Sequence, residues 1–424
     1  MLRYFDHVHG SPAYVYDLAA IRSSYTQLID ELPTGSRVLY SVKANPHPRI
    51  IAELGVLGAG AEVSSSGELD SALAAGILPN DILHTGPGKG TSEIQHAIDR
   101  GVELFSVDSP DQIAILEQCA RAAETPVRLL LRINGGDVVT GHGLTMTGQA
   151  SQFGADLRWI EDDPQAFQRA SGYATIIGFH VYQGTNLSGA SAVLQQIEVA
   201  VQLCRAAAKA LNIKPEIIDL GGGFGAPYAK AGDLEDLGGL RTAVETLLDH
   251  EWPAWRTPEL TVLFESGRYL VATCGTFFTK VADVKRSQDR RVVIMESGIN
   301  HLGGMPGLRR VPPLDLNPVK RDEATDKTVA LPTGDECWIT GPLCTPLDTL
   351  NKHAMLPEVK RGDVLAVENV GAYGLSASLI GFLGHPAPEE VVVDGDRAIT
   401  RSRLLLRREE IPLPQNRTTD QLSD

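Results

Sequence analysis

Three short segments of the sequence place a reactive or charged side chain at or just after the end of an apolar run. Lys43 lies in YSVKANPHP, His180 and Tyr182 lie in GFHVYQGTN, and Glu265 and Arg268 lie in ESGR. If the apolar runs are parallel strands of a barrel, the loops that follow them meet at one rim, where barrel enzymes hold their sites. The sequence therefore predicts one site that contains these side chains.

Lys43 is the candidate nucleophile of this site. A lysine that is partly desolvated in a barrel mouth has a lowered pKa, because burial disfavours the ammonium. The free amine can then attack a carbonyl to form an imine. The competing interpretation is a lysine that only extends its ammonium from a buried strand to water.

Gly221, Gly222 and Gly223 follow the apolar run IIDL in DLGGGFGAP. Because glycines carry no side chain, consecutive backbone N–H groups can converge on an anion, which indicates a phosphate site. A plain glycine-rich turn is the alternative. A dinucleotide site is not favoured, because no dinucleotide-binding fingerprint opens the first strand–helix unit.

A carboxylate and a thiol are further candidates. Glu265 and Arg268 alone would form an ordinary surface ion pair, but beside Lys43 the carboxylate could keep a pyridinium nitrogen protonated, which a strong electron sink requires. Cys344 lies in TGPLCTPLD, a loop stiffened by proline and glycine. It is a candidate proton donor if that loop reaches the site, and otherwise an inert small hydrophobic residue.

The elements that must position these residues alternate apolar runs with amphipathic stretches from Val38 to Ser266, which is typical of parallel strands joined by helices. Eight such units predict an α/β fold with a closed (β/α)8 TIM-like barrel. The predicted strands cover residues 38–43, 60–65, 82–86, 104–108, 127–133, 177–183, 217–221 and 261–266.

After Arg268 the pattern changes to β-branched runs, turns and prolines, which indicates a mainly antiparallel β domain. We predict four parts of the chain. They are an N-terminal segment (1–25) that pairs with the β domain through AYVYD, the barrel (26–270), the C-terminal β domain (271–410) and a flexible tail (411–424).

Composition narrows the class of protein. With 424 residues, 43% hydrophobic and 21% charged, the chain is an ordinary globular protein, and its net charge of −15 disfavours nucleic acid and anionic membranes as partners. Its five cysteines form no CxxC pair and no zinc motif, which predicts reduced thiols and no metal. Without a signal peptide or an apolar run of about 20 residues, the predicted location is the cytoplasm.

Taken in chain order, these motifs resemble those of the fold-type III pyridoxal-phosphate decarboxylases, the group of diaminopimelate, ornithine and arginine decarboxylases. The resemblance covers nearly the whole chain, from GSPAYVYD to GHPAPEEVVV. Each motif is short, but seven occur in order: YSVKAN, SQFGA, GFHVYQGTN, DLGGGFG, ESGR, GPLCTPLD and GAYGLSAS.

The resemblance implies a pyridoxal 5'-phosphate cofactor, bound as a Schiff base on Lys43, with Glu265 at its pyridine nitrogen. It also implies a homodimer in which Cys344 of one subunit reprotonates Cα in the site of the other. The remaining implied cofactor-binding residues are Thr185, Gly221 to Gly223, Gly267, Arg268 and Tyr373.

The sequence departs from the family pattern at two positions. Tyr182 stands where a stacking histidine is common and His180 lies two residues earlier, so both rings are candidates for stacking on the cofactor. Thr345 follows the cysteine, where enzymes that bind a free diamine have an acidic residue, and its presence disfavours such substrates. Asp348 is a candidate substitute, and Arg309 a candidate ligand for a distal carboxylate.

GPLCTPLD, GAYGLSAS and GINHLGG are most similar to branches that act on conjugated substrates, among them a decarboxylase of a glutamyl carrier protein and relatives in siderophore assembly. We therefore predict a carboxy-lyase that removes the α-carboxylate of an amino acid or an amino-acid conjugate. The alternatives are a diaminopimelate decarboxylase of lysine synthesis, an alanine-racemase-like enzyme, and a non-catalytic cofactor-binding protein. Glu265 disfavours the racemase, and the presence of Lys43 and Cys344 disfavours the non-catalytic protein.

Overall fold

The computed structural model describes residues 11–135, 151–168, 172–303, 319–322, 327–329 and 334–411. The strands up to residue 266 are β1 (Ala13–Asp17), β2 (Arg37–Ser41), β3 (Gly60–Val63), β4 (Ile82–His84), β5 (Leu104–Val107), β6 (Val127–Asn134), β7 (Ala155–Asp156), β8 (Ala174–His180), β9 (Ile217–Asp219) and β10 (Thr261–Ser266). The α-helices within the described residues are α1 (Leu18–Asp30), α2 (Pro48–Val56), α3 (Ser66–Ala74), α4 (Thr91–Asp99), α5 (Pro110–Ala122), α6 (Leu157–Asp162), α7 (Pro164–Phe167), α8 (Gly189–Leu211), α9 (Leu240–Glu251) and α10 (Arg268–Val271).

Eight of these strands form a closed parallel barrel in the order β2, β3, β4, β5, β6, β8, β9 and β10. The barrel closes because β5 pairs with β6 and β10 pairs with β2, both in parallel. At least one helix follows each of these strands. The predicted (β/α)8 barrel is confirmed.

Local sequence explains why the connecting segments are helical. In α8 the buried residues recur every three to four positions and include Val193, Ile197, Ala200 and Cys204, which gives the helix one face to pack on the barrel. At the start of α3, Ser65 Oγ accepts the N–H of Glu68, whose carboxylate in turn accepts the N–H of Ser64. Such reciprocal caps satisfy N–H groups that have no partner within the helix.

The second part of the structure is a ten-stranded sheet that contains β1 and nine later strands. These are β11 (Gly275–Ser287), β12 (Arg290–Met295), β13 (Val319–Asp322), β14 (Lys327–Val329), β15 (Asp335–Thr340), β16 (Thr349–Leu356), β17 (Val364–Glu368), β18 (Glu389–Asp394) and β19 (Arg397–Arg403). Most neighbouring strands are antiparallel, as predicted, whereas β1 with β18 and β12 with β15 are parallel. β1 lies between β11 and β18, so the N-terminal strand is an integral part of this sheet.

Six of the eight barrel strands end one to three residues earlier than the sequence indicates, and two of these ends position candidate site residues. β2 ends at Ser41, and Val42–Ala44 form a single 3-10 turn that carries Lys43. Tyr40 Oη donates a hydrogen bond to the Asn45 carbonyl at 2.8 Å, which stabilises this bend at the rim. β8 ends at His180, so Tyr182 belongs to the following loop.

None of the helices in the described parts of the chain combines the length and the apolar character that a membrane span requires. The domain limits that the sequence suggests stay a prediction. The last barrel strand ends at Ser266, and β11 begins at Gly275.

Candidate active site

A layer of buried polar side chains lies at the carboxyl end of the barrel. Side chains two residues apart in a strand share a face. A cluster of buried apolar residues fills the interior, with one residue from each of six barrel strands: Leu39, Leu83, Leu130, Ile177, Ile217 and Leu263, with Leu104 of a seventh strand packed against it. Two residues beyond Leu39, Leu83, Leu104, Leu130, Ile217 and Leu263 stand Ser41, Thr85, Ser106, Arg132, Asp219 and Glu265, all of them buried. The interior of the barrel therefore changes from apolar to polar over two residues of each of these strands. We call this layer of buried polar side chains the polar floor.

Lys43 reaches this floor from its 3-10 turn and binds Glu62 of β3. Its Nζ atom lies 2.8 Å from Oε2 and 3.1 Å from Oε1 of the carboxylate. The Lys43 side chain is 43% exposed, whereas that of Glu62 is 2% exposed. The ammonium is thus accessible from one side and paired with a buried carboxylate on the other.

The pair determines the charges of both residues. Burial alone lowers the pKa of Lys43, but the Glu62 and Glu265 carboxylates outweigh burial and raise this pKa above its ordinary value. The lowered pKa that the sequence led us to expect is therefore wrong for this structure. Burial likewise raises the pKa of Glu62, but Lys43 and the hydroxyl of Thr85, which donates at 2.5 Å, lower it below its ordinary value.

His180, Asp219 and Glu265 come together at the ends of three adjacent strands. Nε2 of His180 lies 3.5 Å from Oε1 of Glu265, and its Nδ1 lies 2.8 Å from the hydroxyl of Ser106. One nitrogen or oxygen from each of the three residues lies within 4.8 Å of the other two. His180 Nε2, Asp219 Oδ2 and Glu265 Oε1 are buried without a hydrogen-bond partner among the described residues. Histidine and carboxylate groups at this spacing are also the donors of metal sites, a feature that the sequence did not predict.

Burial sets the protonation of these three residues. Burial, and after it the positive charge of Arg132, lowers the pKa of His180 well below its ordinary value, so the ring is neutral at pH 7. Burial, followed by the charge of Asp219, raises the pKa of Glu265 well above its ordinary value. Burial also raises the pKa of Asp219. Ionisation of one of these two carboxyl groups therefore disfavours ionisation of the other.

The glycine loop after β9 lies against the end of β10. A Cβ atom on Gly222 would stand 1.8 Å from the carbonyl oxygen of Glu265, so only glycine fits. Gly221 has a φ of +70°, its N–H donates to Asp219 Oδ1 at 2.9 Å, and its carbonyl accepts the N–H of Glu265 at 2.7 Å. Gly223 has a φ of +89°. The loop joins Asp219 and Glu265 through backbone atoms and keeps the space beside them free of side chains.

Two tyrosines and Arg268 border the same space. The guanidinium carbon of Arg268 lies 4.7 Å from the ring centroid of Tyr373, and its Nε is buried without a hydrogen-bond partner in the described structure. The N–H of Tyr373 donates to the carbonyl of Ala44 at 2.8 Å, next to Lys43. Burial, and after it Tyr373, raises the pKa of Tyr182 to about 12, while a hydrogen bond with Thr185 acts in the opposite direction. The tyrosine of GAYGLSAS thus comes from the second sheet to the barrel rim.

Gly267 has a packing role at this rim. A Cβ atom there would stand 2.9 Å from the Cβ of Ala44 and 3.1 Å from that of Ser41. The absence of a side chain lets the end of β10 approach the turn that carries Lys43.

The loop between β15 and β16 presents Cys344 at the surface and is held by Asp348. The Cys344 side chain is exposed. Asp348 is buried, and its two carboxylate oxygens accept the N–H groups of Ile299 at 2.8 Å and of Leu343 at 2.7 Å. Thr345 Oγ1 accepts the N–H of Leu347 at 3.3 Å. The carboxylate of Asp348 therefore braces the cysteine loop. Its role as a substrate ligand stays a prediction.

Sequence reasoning missed Glu62, Ser106, Arg132 and Asp219. The two-residue strand repeat would have found the last three, because each stands two positions beyond an apolar residue of the barrel interior. Glu62 is the one charged residue in the run GAEVSS. Arg309 lies outside the described residues, so its assignment stays a prediction.

The described residues fit an aromatic cofactor that carries a carbonyl and a phosphate. They offer a lysine amine for the carbonyl and a buried carboxylate with an unpartnered oxygen for a ring nitrogen. For the phosphate they offer a glycine loop without side chains and a guanidinium with an unpartnered Nε. The fold and this site together define a cofactor-binding barrel enzyme.

Comparison with known proteins identifies the family. The model of the pyridoxal-dependent decarboxylases, pyridoxal binding domain, matches residues 18–272. The chain belongs to this family of pyridoxal-phosphate-dependent carboxy-lyases. Its cofactor is pyridoxal 5'-phosphate, which agrees with the resemblance seen in the motifs.

Similar proteins act on different substrates. The L-glutamyl-[BtrI acyl-carrier protein] decarboxylase of Niallia circulans is 32% identical, over 90% of this chain and 88% of its own length. The 2-[(L-alanin-3-ylcarbamoyl)methyl]-2-hydroxybutanedioate decarboxylase of Staphylococcus aureus is 27% identical, over 89% of this chain and 92% of its own. A crystal structure of a diaminopimelate decarboxylase variant of Helicobacter pylori with L-lysine has a TM-score of 0.80 and 26% identity, and the match covers 95% of this chain and 96% of that one.

Proposed function

We propose that this protein is a cytoplasmic, homodimeric decarboxylase that removes the α-carboxylate of an amino-acid conjugate. The product would serve the assembly of a siderophore or a carrier-protein-linked natural product. The observation that carries this proposal concerns the acidic groups of the cysteine loop. Its one carboxylate, Asp348, is occupied by two backbone N–H groups, and Thr345 follows the cysteine. The loop offers no exposed carboxylate to the distal ammonium of a diamino acid, and burying that ammonium unpaired would be costly.

In this proposal Lys43 forms the bond to the cofactor, and Glu62 accepts and returns the proton of the Lys43 amine. Lys43 Nζ must lose a proton before it can bond to a carbonyl carbon. Glu62 Oε2, at 2.8 Å, is placed to stabilise the ammonium and to receive that proton. The same carboxylate can return the proton when the lysine is released.

Glu265 holds the ring nitrogen, and Thr185, Gly221 to Gly223, Arg268 and Tyr373 hold the phosphate. We propose that His180, and not Tyr182, stacks on the cofactor ring, because His180 Nε2 lies 3.5 Å from Oε1 of Glu265, the proposed ligand of the ring nitrogen. Tyr182 lies in the loop beyond β8, where Thr185 is its hydrogen-bond partner. The donor atoms of His180 and Glu265 thereby serve the cofactor and not a metal.

Bound pyridoxal phosphate supplies an electron sink for the electron pair that remains when the α-carboxylate leaves. The protein orients the bond that breaks and excludes water from the barrel floor. We propose that Cys344 of the partner subunit then donates a proton to Cα through its Sγ.

Exposed apolar residues support the dimer. Leu347 is exposed three residues after Cys344, and Leu379, Phe382 and Leu383 are exposed after GAYGLSAS. A second copy that covers these residues would bring a cysteine loop to each barrel.

Mixing two inactive variants tests shared sites. Lys43→Ala and Cys344→Ala should each be inactive alone. After subunit exchange in equal amounts, about a quarter of the wild-type activity should return, because half of the dimers would contain one intact site. Absence of recovery, with exchange verified by mass spectrometry, would refute sharing.

A CO₂-release assay with chiral analysis of the remaining substrate tests the reaction. The panel should contain glutamate, diaminopimelate, ornithine and lysine as free amino acids, a carrier-bound glutamyl group, and the amide-linked substrate named for the Staphylococcus aureus relative. We expect kcat/KM to be highest for a conjugate. Racemised substrate without CO₂ release would sink the decarboxylase proposal in favour of a racemase.

Diaminopimelate is the second candidate substrate, because the matched Helicobacter pylori structure is a diaminopimelate decarboxylase. A kcat/KM for diaminopimelate above that for every conjugate would select it. Arg309 stays a proposal as the ligand of a distal carboxylate. Arg309→Ala should then raise the KM of an acidic conjugate and leave that of ornithine, which has no distal carboxylate, unchanged.

A further inference from the structure

A buried aspartate without an assigned role lies beside the proposed ring-nitrogen ligand. Asp219 ends β9 and is fully buried. Its Oδ1 accepts the N–H of Gly221, whereas its Oδ2 has no hydrogen-bond partner among the described residues. A buried charged oxygen without a partner is costly, so this oxygen either carries a proton or faces a donor.

Strand register explains why Asp219 faces Glu265. Arg132 of β6 pairs with His180 of β8, which pairs with Asp219 of β9. Leu263 of β10 pairs with Asp219, and Glu265 stands two residues further on the same face. Asp219, His180 and Glu265 are thereby held together by the barrel itself, within the 4.8 Å described above.

The same residue also contacts the proposed phosphate loop. Asp219 Oδ1 holds Gly221 at 2.9 Å, and the carbonyl of Gly221 accepts the N–H of Glu265 at 2.7 Å. Any movement of Asp219 would therefore disturb both the ring-nitrogen ligand and the glycine loop.

We propose that Asp219 is a positioning residue that carries a proton on Oδ2 and shares it with Glu265, so that Glu265 can present its negative charge to the cofactor. This inference rests on the proposed function of Glu265. Two ionised carboxylates at this distance would repel each other in a medium that screens charge poorly. A proton on Asp219 Oδ2 removes this repulsion and gives that buried oxygen a hydrogen to donate. Burial raises the pKa of both Asp219 and Glu265, which favours one protonated carboxyl group in the pair.

The charged and titratable groups around Asp219 come from every neighbouring element. They are His180, Glu265, Glu62, Arg132, Lys43 and, on α8, Cys204. Of these, Arg132 and Lys43 favour the charged form of Asp219, and burial and Glu62 disfavour it.

Thermal unfolding of the cofactor-free protein tests the proton directly. An aspartate with a folded pKa raised above its unfolded value destabilises the fold progressively as the pH rises toward the folded pKa. Asp219→Asn keeps an acceptor for Gly221 and a permanent N–H for Glu265. We expect its Tm to exceed that of the wild type by about 2 °C or more at pH 8, and the difference to shrink at pH 5. If Asp219 served only as an ionised acceptor for Gly221, Asp219→Asn would have the lower Tm at both pH values, and the proposal would fail.

Titration with pyridoxal phosphate at pH 6.5 and pH 8 supplies the second readout. Asp219→Asn should keep the wild-type Kd for pyridoxal phosphate within about threefold. Asp219→Ala should weaken this Kd about tenfold or more, because the buried carboxylate of Glu265 loses the hydrogen-bond donor that residue 219 supplies. Equal weakening in both variants would show that the charge of Asp219 is needed, and would overturn the inference.

Glu390→Gln is the matched control, because Glu390 is also buried with a raised pKa but lies in β18. It should change the pH dependence of Tm and leave cofactor affinity unchanged. These measurements need no turnover. A wild type that releases no CO₂ would therefore refute the proposed reaction, whereas the Asp219 outcomes decide only this inference.

Discussion

The Nζ atom of Lys43 lies 2.8 Å from Oε2 of Glu62, at the boundary between the exposed mouth and the buried floor of the barrel. This contact reverses the effect that burial alone has on the lysine. The residue proposed to bond to the cofactor is held as an ammonium, with its proton acceptor already in contact. Attachment of the cofactor therefore depends on a proton transfer between two named atoms.

Replacing Glu62 tests this dependence. In Glu62→Gln the burial of Lys43 is no longer offset by this carboxylate, so the pKa of the lysine falls. The pH midpoint at which the apoprotein bonds to pyridoxal phosphate, followed by absorbance, should move to lower pH. Turnover should fall by about 10²-fold or more, because the proton acceptor is lost. An unchanged midpoint would contradict the role of Glu62, and Glu53→Gln, at the Arg22 ion pair, is the control.

A side chain at Gly222 should disrupt the site through the backbone. The Cβ of Gly222→Ala would stand 1.8 Å from the Glu265 carbonyl oxygen, so the end of β10 must shift. We expect a loss of about 1–3 kcal/mol in unfolding free energy and a Kd for pyridoxal phosphate weakened about tenfold or more. Gly88→Ala is the matched control, because its Cβ would meet no atom within 4 Å. Equal effects of both substitutions on Kd would argue against a specific role of the close approach.

Asp348 should matter for the shape of the cysteine loop. Asp348→Asn leaves at least one of two buried N–H groups, those of Ile299 and Leu343, facing an amide N–H. The expected cost is about 1–3 kcal/mol in denaturant unfolding. If Cys344 is the proton donor, kcat should fall while the Kd for the cofactor stays constant. Asp394→Asn, at a surface ion pair with Arg22, should change stability by less than about 0.5 kcal/mol. A loss of cofactor affinity in Asp348→Asn would contradict a role confined to this loop.

Glu390 should make the fold less stable as the pH rises. Burial raises the pKa of Glu390 to about 7, while a hydrogen bond from Tyr16 Oη at 3.2 Å opposes this rise. Because the folded pKa lies above the unfolded value, the favourable contribution is fully present below pH 4 and is lost as the pH rises toward 7. The loss is at most roughly 3 kcal/mol.

Glu390→Gln keeps an acceptor for Tyr16 and cannot ionise. Its unfolding free energy should exceed that of the wild type at pH 8, and the two should converge near pH 4. Glu389→Gln, at the neighbouring but less buried position of β18, should change this pH dependence little. A constant difference between Glu390→Gln and the wild type across this pH range would contradict the role assigned to burial.

The sequence alone determined the barrel, the mainly antiparallel second sheet and the family. The reason is that both signals are local. The spacing of apolar residues that distinguishes strands from helices is visible in consecutive residues, and motifs such as YSVKAN and GPLCTPLD contain their reactive residues within a few positions. Lys43, Glu265 and Cys344 could therefore be singled out without a structure.

Only the tertiary structure decided which charges meet. The strand that carries Glu62 is separated from Lys43 by α2, and their contact depends on how neighbouring strands pair, which raises the lysine pKa that local context would lower. In the same way, the brace that Asp348 forms for the cysteine loop depends on Ile299, which lies 49 residues away and donates its N–H to Asp348. Long-range register sets such contacts, and no short segment contains the information about its partner.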